Sequence, residues 1–329
     1  MIDLVLWTLV MLISIFFLSK SADWTADSVV ALTRKLNTTK VALGILLVSL
    51  LYILPELLVS LLAVVQGEPE IAFGNIVGSN IGNIAFMIGL SSMFSTLVVY
   101  RRVIVRDGIF LMVATLSAFA FMLDGVVSQT EGVVLLSLAV FYIINVYEQE
   151  KIETPEERER ETAEVAIEFD LLTTLTGKRL EIRNAYVSFA LGIIISLITA
   201  DLLVRSAVNI ASILGASELL LGMTVVAMGT SLADIATAVA ATRKGHSDLA
   251  IAGCLGANLF TLLIVLGLTA LINPLLVSSE TLFLSGTIFL VITSLFFIYM
   301  ITMKIGKWKG LTLLVIYMVF LVLTIVAEI

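Results

Sequence analysis

The chain has 329 residues, 60% of them hydrophobic and 14% charged, with a mean hydropathy of +1.11. Soluble domains hold about 45–50% apolar and about 25% charged residues, so a soluble globular protein is excluded. Cys254 is the only cysteine and His246 the only histidine, which excludes an intrachain disulfide, a multi-thiolate metal site and a histidine-based hydrolytic centre. No enzyme activity, cofactor or nucleic-acid partner is expected, and the formal charge of −7 is spread over connections.

A helix crosses the hydrocarbon core with about 20 mostly apolar residues. Stretches of that kind fall at 2–20 (continuing less apolar to Leu36), 41–66, 70–98, 108–123 and 132–147. After a polar stretch they resume at 185–214, 219–242, 249–273, 281–302 and 310–327. Lipid offers no partner for open backbone groups, and these runs are apolar on both faces where a barrel strand would alternate. The expectation is an all-α integral membrane protein of ten transmembrane helices. The first stretch could pass for a secretory leader, with Ser19 and Ser21 before a cut. It begins Met1-Ile2-Asp3 without a basic region, however, and it belongs to the repeat described below.

The connections alternate in charge. Arg34, Lys35 and Lys40 follow the first span, Arg101, Arg102 and Arg106 the third, Arg243 and Lys244 the seventh, and Lys304, Lys307 and Lys309 the ninth. The intervening connections carry Glu68 and Glu70, Asp124 and Glu131, Glu218, or Glu280, with no Lys or Arg. The positive-inside rule places the basic set in the cytoplasm and both termini outside, in a multi-pass protein of the cell membrane. Glu148–Arg183, dense in Glu and Arg, reads as a solvated helical linker with i,i+4 charge pairs, and a regulatory cation site there is the alternative.

The two halves align without a gap at the offset between Glu56 and Asp234, 178 positions. Ala22-Asp23 falls on Ala200-Asp201, Ser28 on Ser206, and Leu43-Gly44 on Leu221-Gly222. Gly67 falls on Gly245, Gly78 on Gly256, Asn80 on Asn258, and Gly89-Leu90 on Gly267-Leu268. Each half has an odd number of spans, so the second enters the membrane upside down. The turn Gln66-Gly67-Glu68-Pro69-Glu70 is acidic where its counterpart Lys244-Gly245-His246-Ser247-Asp248 is basic, as opposite sides require. The expected organisation is one five-helix repeat over 1–147, a cytoplasmic linker over 148–184, and an inverted five-helix repeat over 185–329. Inverted repeats are common in transporters, with the site near the midplane between them; two-fold channels use them too.

A carboxylate inside a span costs roughly 2.5–3.5 kcal/mol on insertion scales and marks function by default. Glu56 follows Pro55 in mid-span, Asp234 follows Gly229-Thr230-Ser231-Leu232-Ala233, and the two share one repeat position. Each precedes a polar, Gly-rich stretch: Gly74-Asn75-Ile76-Val77-Gly78-Ser79-Asn80-Ile81-Gly82-Asn83, and Gly253-Cys254-Leu255-Gly256-Ala257-Asn258-Leu259-Phe260-Thr261. Hard cations take oxygen ligands, and helices broken at Gly or Pro expose carbonyls. Close helix packing is the plainer reading of Gly74-xxx-Gly78 and Ala252-xxx-Gly256, and a protonated, hydrogen-bonded carboxyl that of each acid. Lys20, Asp23, Asp201 and Arg205 have spacings for intrahelical pairs near the interfaces.

These residues resemble the repeats of the calcium/cation antiporter superfamily, the sodium/calcium exchanger group in particular. That group carries G-T-S-[LVI]-P-[ED] in one helix and G-N-x-x-G-S-N-x-x-[ND] in the next, twice. The resemblance implies a cation site formed by Glu56, Asn83, Asp234 and Thr261. Ser79, Asn80, Thr230 and Ser231 are implied as flanking ligands, and Asn258 stands at the position matching Asn80. The departures are Tyr52-Ile53 for the Thr-Ser pair, Ala233 for proline, Ala257 for serine, and Thr261 where many exchangers have an acid. The implied activity is a secondary antiport of Ca²⁺ or another divalent for Na⁺ or H⁺ by alternating access, within a monomer in the lipid bilayer. Its partners are inorganic cations. Two alternatives stand beside it: a monovalent cation/proton exchanger on the same scaffold, and a transport-inactive membrane protein acting through its cytoplasmic loop.

Overall fold

The computed structural model describes residues 2–35, 53–151, 185–278 and 282–327. Among these residues eight helices are long and apolar enough to cross a bilayer, and a bent pair, Glu218–Thr230 and Leu232–Arg243, kinked by 46°, makes a ninth. The second expected span, 41–66, is described from residue 53 onward, where Leu54–Gln66 is helical. Its first half, the linker beyond residue 151, Lys40, Glu280, and the pairing of Leu43-Gly44 with Leu221-Gly222 lie outside the described residues.

Two sequence expectations need correction. The fourth span runs Arg101–Met122 rather than starting at 108, and the tenth starts at Lys307 rather than 310. The basic residues there sit in the first turns of their helices, because long Arg and Lys stems can lie along apolar surface while the charge reaches the interface. Arg106 instead turns onto the next residue, donating to Asp107 at 2.8 and 3.0 Å, and Tyr142 also donates its hydroxyl to Asp107 at 2.8 Å. The second correction is that, among the described residues, the helical fold also holds four two-residue strands, which pair across the halves.

The 178-residue offset recurs in the backbone. Leu97–Val98 matches Leu275–Leu276, Val126–Val127 matches Lys304–Ile305, and Ile88–Phe94 matches Leu266–Ile272. The π-helical turns Ile104–Gly108 and Leu282–Gly286 match as well. Left-handed turn residues repeat too: Gly67 with Gly245 (φ 87° and 95°), and Gly125 with Met303 (φ 86° and 62°). Leu97 pairs antiparallel with Ile305, and Val127 with Leu275, so each strand pair is the image of the other under the offset.

These pairings also sort the connections by side. The strands after the third and ninth spans join one another, and those after the fourth and eighth do likewise. Arg243, in the last turn of the seventh span, lies over the Phe94 ring at 5.3 Å, at the end of the third. The basic connections after the third, seventh and ninth spans therefore sit together.

Burial separates the spans into a centre and a periphery. The apolar window of Pro69–Phe94 is 94% buried and that of Ser247–Ile272 is 78% buried, against 17% for Ile2–Thr25. These two central helices carry the polar, Gly-rich stretches, so polar side chains face protein rather than lipid. Glycine makes that packing possible. A Cβ on Gly74 would stand 2.8 Å from the Leu219 carbonyl oxygen, and one on Gly78 would collide with the Met223 carbonyl and the Ala227 side chain. The close-packing reading of this motif is correct, with the start of the seventh span as the partner. The Lys20–Asp23 and Asp201–Arg205 pairs are intrahelical as their spacing implies, at 4.0 and 2.8 Å.

The shared turn geometry of Gly125 and Met303 makes a stability prediction. A side chain in the left-handed region costs about 1–2 kcal/mol relative to glycine, so Gly125→Ala should lower stability by about that amount. Met303→Gly relieves the same strain while loosening the unfolded chain, so its net change should stay within about 1 kcal/mol. Thermal unfolding of the detergent-solubilised variants measures both. An equal loss in the two variants would show that the turns do not share their chemistry.

Candidate cation site

Two helix starts at matching repeat positions build the site. Ile53 (φ −80°, ψ 2°) precedes Leu54–Gln66, and Ser231 (φ −85°, ψ 0°) separates Ala227–Thr230 from Leu232–Arg243. The bonds that open each helix also correspond: Leu57 N–H donates to Ile53 O at 2.8 Å, and Ile235 N–H to Ser231 O at 3.0 Å. In the first half Pro55 has no N–H to continue the ladder. Glu56 and Asp234 each fall in the first turn of these helices, where the positive end of a helix dipole favours a carboxylate. Both are buried, at 1% and 8% exposure.

A bonded group gathers around Glu56. Ser231 donates its hydroxyl to Glu56 Oε1 at 3.0 Å, across the two halves. Thr230 donates to Asn75 Oδ1 at 3.0 Å and lies 3.4 Å from the Ser79 hydroxyl. Asn75 Nδ2 donates to Ser60 Oγ at 2.9 Å and to the Glu56 carbonyl at 3.3 Å. A second group lies along the central helices. Asn83 Nδ2 donates to Asn258 Oδ1 at 3.1 Å, Asn258 Nδ2 to the Asn80 carbonyl at 3.1 Å, and Asn80 Nδ2 to the Ile76 carbonyl at 2.8 Å. Cys254 Sγ donates to the Asn83 carbonyl at 3.5 Å. The π-helical turns Gly82–Met87 and Thr261–Val265 begin at this level of the two helices.

Of the residues singled out in the sequence, Glu56, Ser79, Thr230 and Ser231 thus come into one group, and Asn80, Asn83 and Asn258 into the other. Asp234 lies one turn beyond Ser231 on the same helix. Thr261 is buried at the first position of its π-helical turn and, among the described residues, bonds to neither group. Asn75 and Ser60 were not among the implied ligands. An asparagine beside Gly74 inside an apolar span was the available signal.

Among the described residues, three buried oxygens in these groups find no hydrogen-bond partner: Glu56 Oε2, Asn80 Oδ1 and Asn83 Oδ1. Buried polar atoms are normally satisfied, and leaving one open costs about 1–3 kcal/mol. Acceptor oxygens from carboxylate and amide groups suit a hard cation. The site is asymmetric. The counterpart of Ser231 is Ile53 and that of Asn75 is Gly253, so the first half has no hydroxyl at the one position and the second half no amide at the other.

Fold and site together define a multi-pass membrane protein with buried carboxylates at paired helix starts. The model of the sodium/calcium exchanger protein family matches residues 6–147 and 184–326. Inner membrane protein YrbG of Escherichia coli is 30% identical over 271 residues, which cover 82% of this chain and 81% of that protein. Sodium/calcium exchanger MaX1 of Methanosarcina acetivorans is 25% identical, over 95% of this chain and 97% of its own length. Among solved structures, the sodium-calcium exchanger NCX_Mj soaked with 10 mM Na⁺ and no Ca²⁺ superposes with a TM-score of 0.64 at 25% identity, covering 96% of this chain and 98% of that one. The chain belongs to the sodium/calcium exchanger protein family.

Glu56→Gln and Asp234→Asn keep side-chain shape and remove one negative charge from a desolvated site. Truncating one partner of a buried charge interaction costs on the order of 3–5 kcal/mol. Cation flux in reconstituted vesicles should fall to near background for both variants while membrane expression is retained. Near-normal flux in either would place the cation path elsewhere.

Proposed function

We propose that this chain is a secondary antiporter that exchanges Ca²⁺, or another divalent, for Na⁺ or H⁺ by alternating access. The observation that carries this reading is the pair of buried carboxylates, Glu56 and Asp234, each in the first turn of a helix that starts at a matching repeat position. Oxygens from both halves meet there through the Ser231–Glu56 and Thr230–Asn75 bonds, so a cation held between them is released when the halves reorient. The names of the family and of its relatives MaX1 and NCX_Mj agree with this reading.

The reading takes the chain as ten spans in two inverted five-helix repeats, 1–147 and 185–329, joined by a cytoplasmic linker at 148–184. Both termini then face outward. The metal ligands are Glu56, Asp234, Asn83 and Thr261, with Ser79, Asn80, Asn258, Thr230 and Ser231 beside them. All of these come from one chain, so the reading needs no second copy. Gln66 Nε2 donates to Asp201 Oδ1 at 3.0 Å, joining the outer end of the second span to the sixth. The repeat counterparts of these two residues are Lys244 and Asp23, an opposite-charge pair available to close the other side.

Two carboxylates with neutral Asn83 and Thr261 hold a net charge that one divalent, two monovalents or two protons would cancel. A buried site crosses the membrane at least cost when its net charge is near zero. Tyr52-Ile53 also replaces the two aliphatic hydroxyls of the Thr-Ser pair that further Na⁺ ions would need. The exchange is therefore electroneutral, one divalent for two monovalents. Monovalent cation/proton exchange is the second reading, favoured by the same missing hydroxyls. Divalent uptake into proteoliposomes clamped at two potentials with a K⁺ ionophore separates these outcomes. An excess charge would couple transport to voltage by about 2.3 kcal/mol per charge per 100 mV. Equal accumulation at both potentials is expected. Accumulation that follows the potential would contradict the electroneutral ratio, and Na⁺/H⁺ flux without divalent uptake would favour the second reading.

A further inference from the structure

Asn75 is fully buried, one helical turn before Ser79, and three residues from two other helices converge on its amide. Nδ2 faces the Ser60 hydroxyl at 2.9 Å and the Glu56 carbonyl at 3.3 Å; Oδ1 faces the Thr230 hydroxyl at 3.0 Å. The direction of this amide is set chemically. A backbone carbonyl only accepts, so the reversed amide would put two acceptors against each other at Glu56. With Nδ2 on that side, Oδ1 must face Thr230.

A threonine hydroxyl has one proton and two lone pairs. It can ligate a cation only with its lone pairs, so its proton must go elsewhere. The other acceptors within reach of the Thr230 proton are the Ala227 carbonyl at 3.1 Å, which also takes the Ser231 N–H at 3.2 Å, and the Ser79 hydroxyl at 3.4 Å. Asn75 Oδ1, at 3.0 Å, is the nearest of the three. The other hydroxyl of the pair, Ser231, has its proton drawn to Glu56 itself.

We infer that Asn75 is a positioning residue for the cation: by taking the Thr230 proton it holds the Thr230 lone pairs toward the space shared with Ser79 and Glu56. The relay joins the two halves and has no repeat-related copy: the counterpart of Asn75 is Gly253, which has no amide side chain. The ligand it serves is a hard, oxygen-liganded cation, and the inference rests on the antiport reading above.

The test is a double-mutant cycle on the full chain in proteoliposomes, with ⁴⁵Ca²⁺ counterflow as the probe. Asn75→Leu, close in shape, should raise the KM for Ca²⁺ roughly 3- to 10-fold, the worth of one neutral hydrogen bond, and leave the maximal rate within about twofold. Thr230→Val should raise KM at least as much. The double variant should be no worse than Thr230→Val alone, because Asn75 acts through that hydroxyl. Multiplying effects, or an unchanged KM in Asn75→Leu, would overturn the inference. If Asn75→Leu does not reach the membrane, Asn75→Gln, which keeps an amide but displaces it by one methylene, goes through the same cycle with the same expected coupling. A wild type that carries no cation would overturn the antiport reading and this inference together. Wild-type flux that is lost in Glu56→Gln but indifferent to Asn75 would overturn this inference alone.

Discussion

A carboxylate in the middle of a bilayer must be met by something, because neither lipid nor apolar protein can solvate it. Most of what distinguishes this fold serves that one requirement. Glu56 and Asp234 each lie in the first turn of a helix, Leu54–Gln66 and Leu232–Arg243, so each acid is at the positive end of that helix. The hydroxyls of Thr230 and Ser231 come from the break between Ala227–Thr230 and Leu232–Arg243. The spans that supply the amides, Pro69–Phe94 and Ser247–Ile272, are the most buried in the molecule among those described. Gly74 and Gly78 let the first of these approach the seventh span backbone to backbone, bringing Asn75 and Ser79 within reach of Thr230.

The repeat explains why one requirement is met twice and why the two solutions differ. Backbone features follow the offset closely: helix starts, π-helical turns, left-handed turns and strand register all recur. Side chains do not. Ser231 corresponds to Ile53, Thr230 to Tyr52 and Asn75 to Gly253, so the polar relay around Glu56 has no copy around Asp234. Backbone geometry is tied to the bilayer and to packing that both halves share. Side-chain chemistry at the centre is shared by the halves, so one relay can serve a single site. The asymmetry lowers the number of oxygens available, and it is the physical basis for the modest charge and ion capacity assigned to the site.

Much of this was legible in the sequence. The apolar runs, the charge alternation and the register of Asp, Asn and Gly residues identify the spans and their pairing, because bilayer thickness and the cost of buried polarity leave few other solutions. Less legible was where helices begin. Arg101, Arg102, Lys307 and Lys309 read as loop residues but belong to helices, since snorkelling side chains do not end a helix. Asp107 is buried inside a span and was not singled out, because its partners Arg106 and Tyr142 include one that is 35 residues away. Asn75 was visible as part of a motif, but its role depends on which way an amide faces. That direction is set by the Glu56 carbonyl, and no pattern of residue types encodes it.

The central claim is that one cation sits between the second and seventh spans, held by Glu56 and Asp234 together. Anomalous scattering from crystals soaked in Sr²⁺ tests it without any assay of transport. The account predicts an anomalous peak within coordination distance of both carboxylates, beside Thr230, that disappears in Glu56→Gln. A peak confined to the surface acids, or one at the midplane that persists without the Glu56 charge, would contradict it.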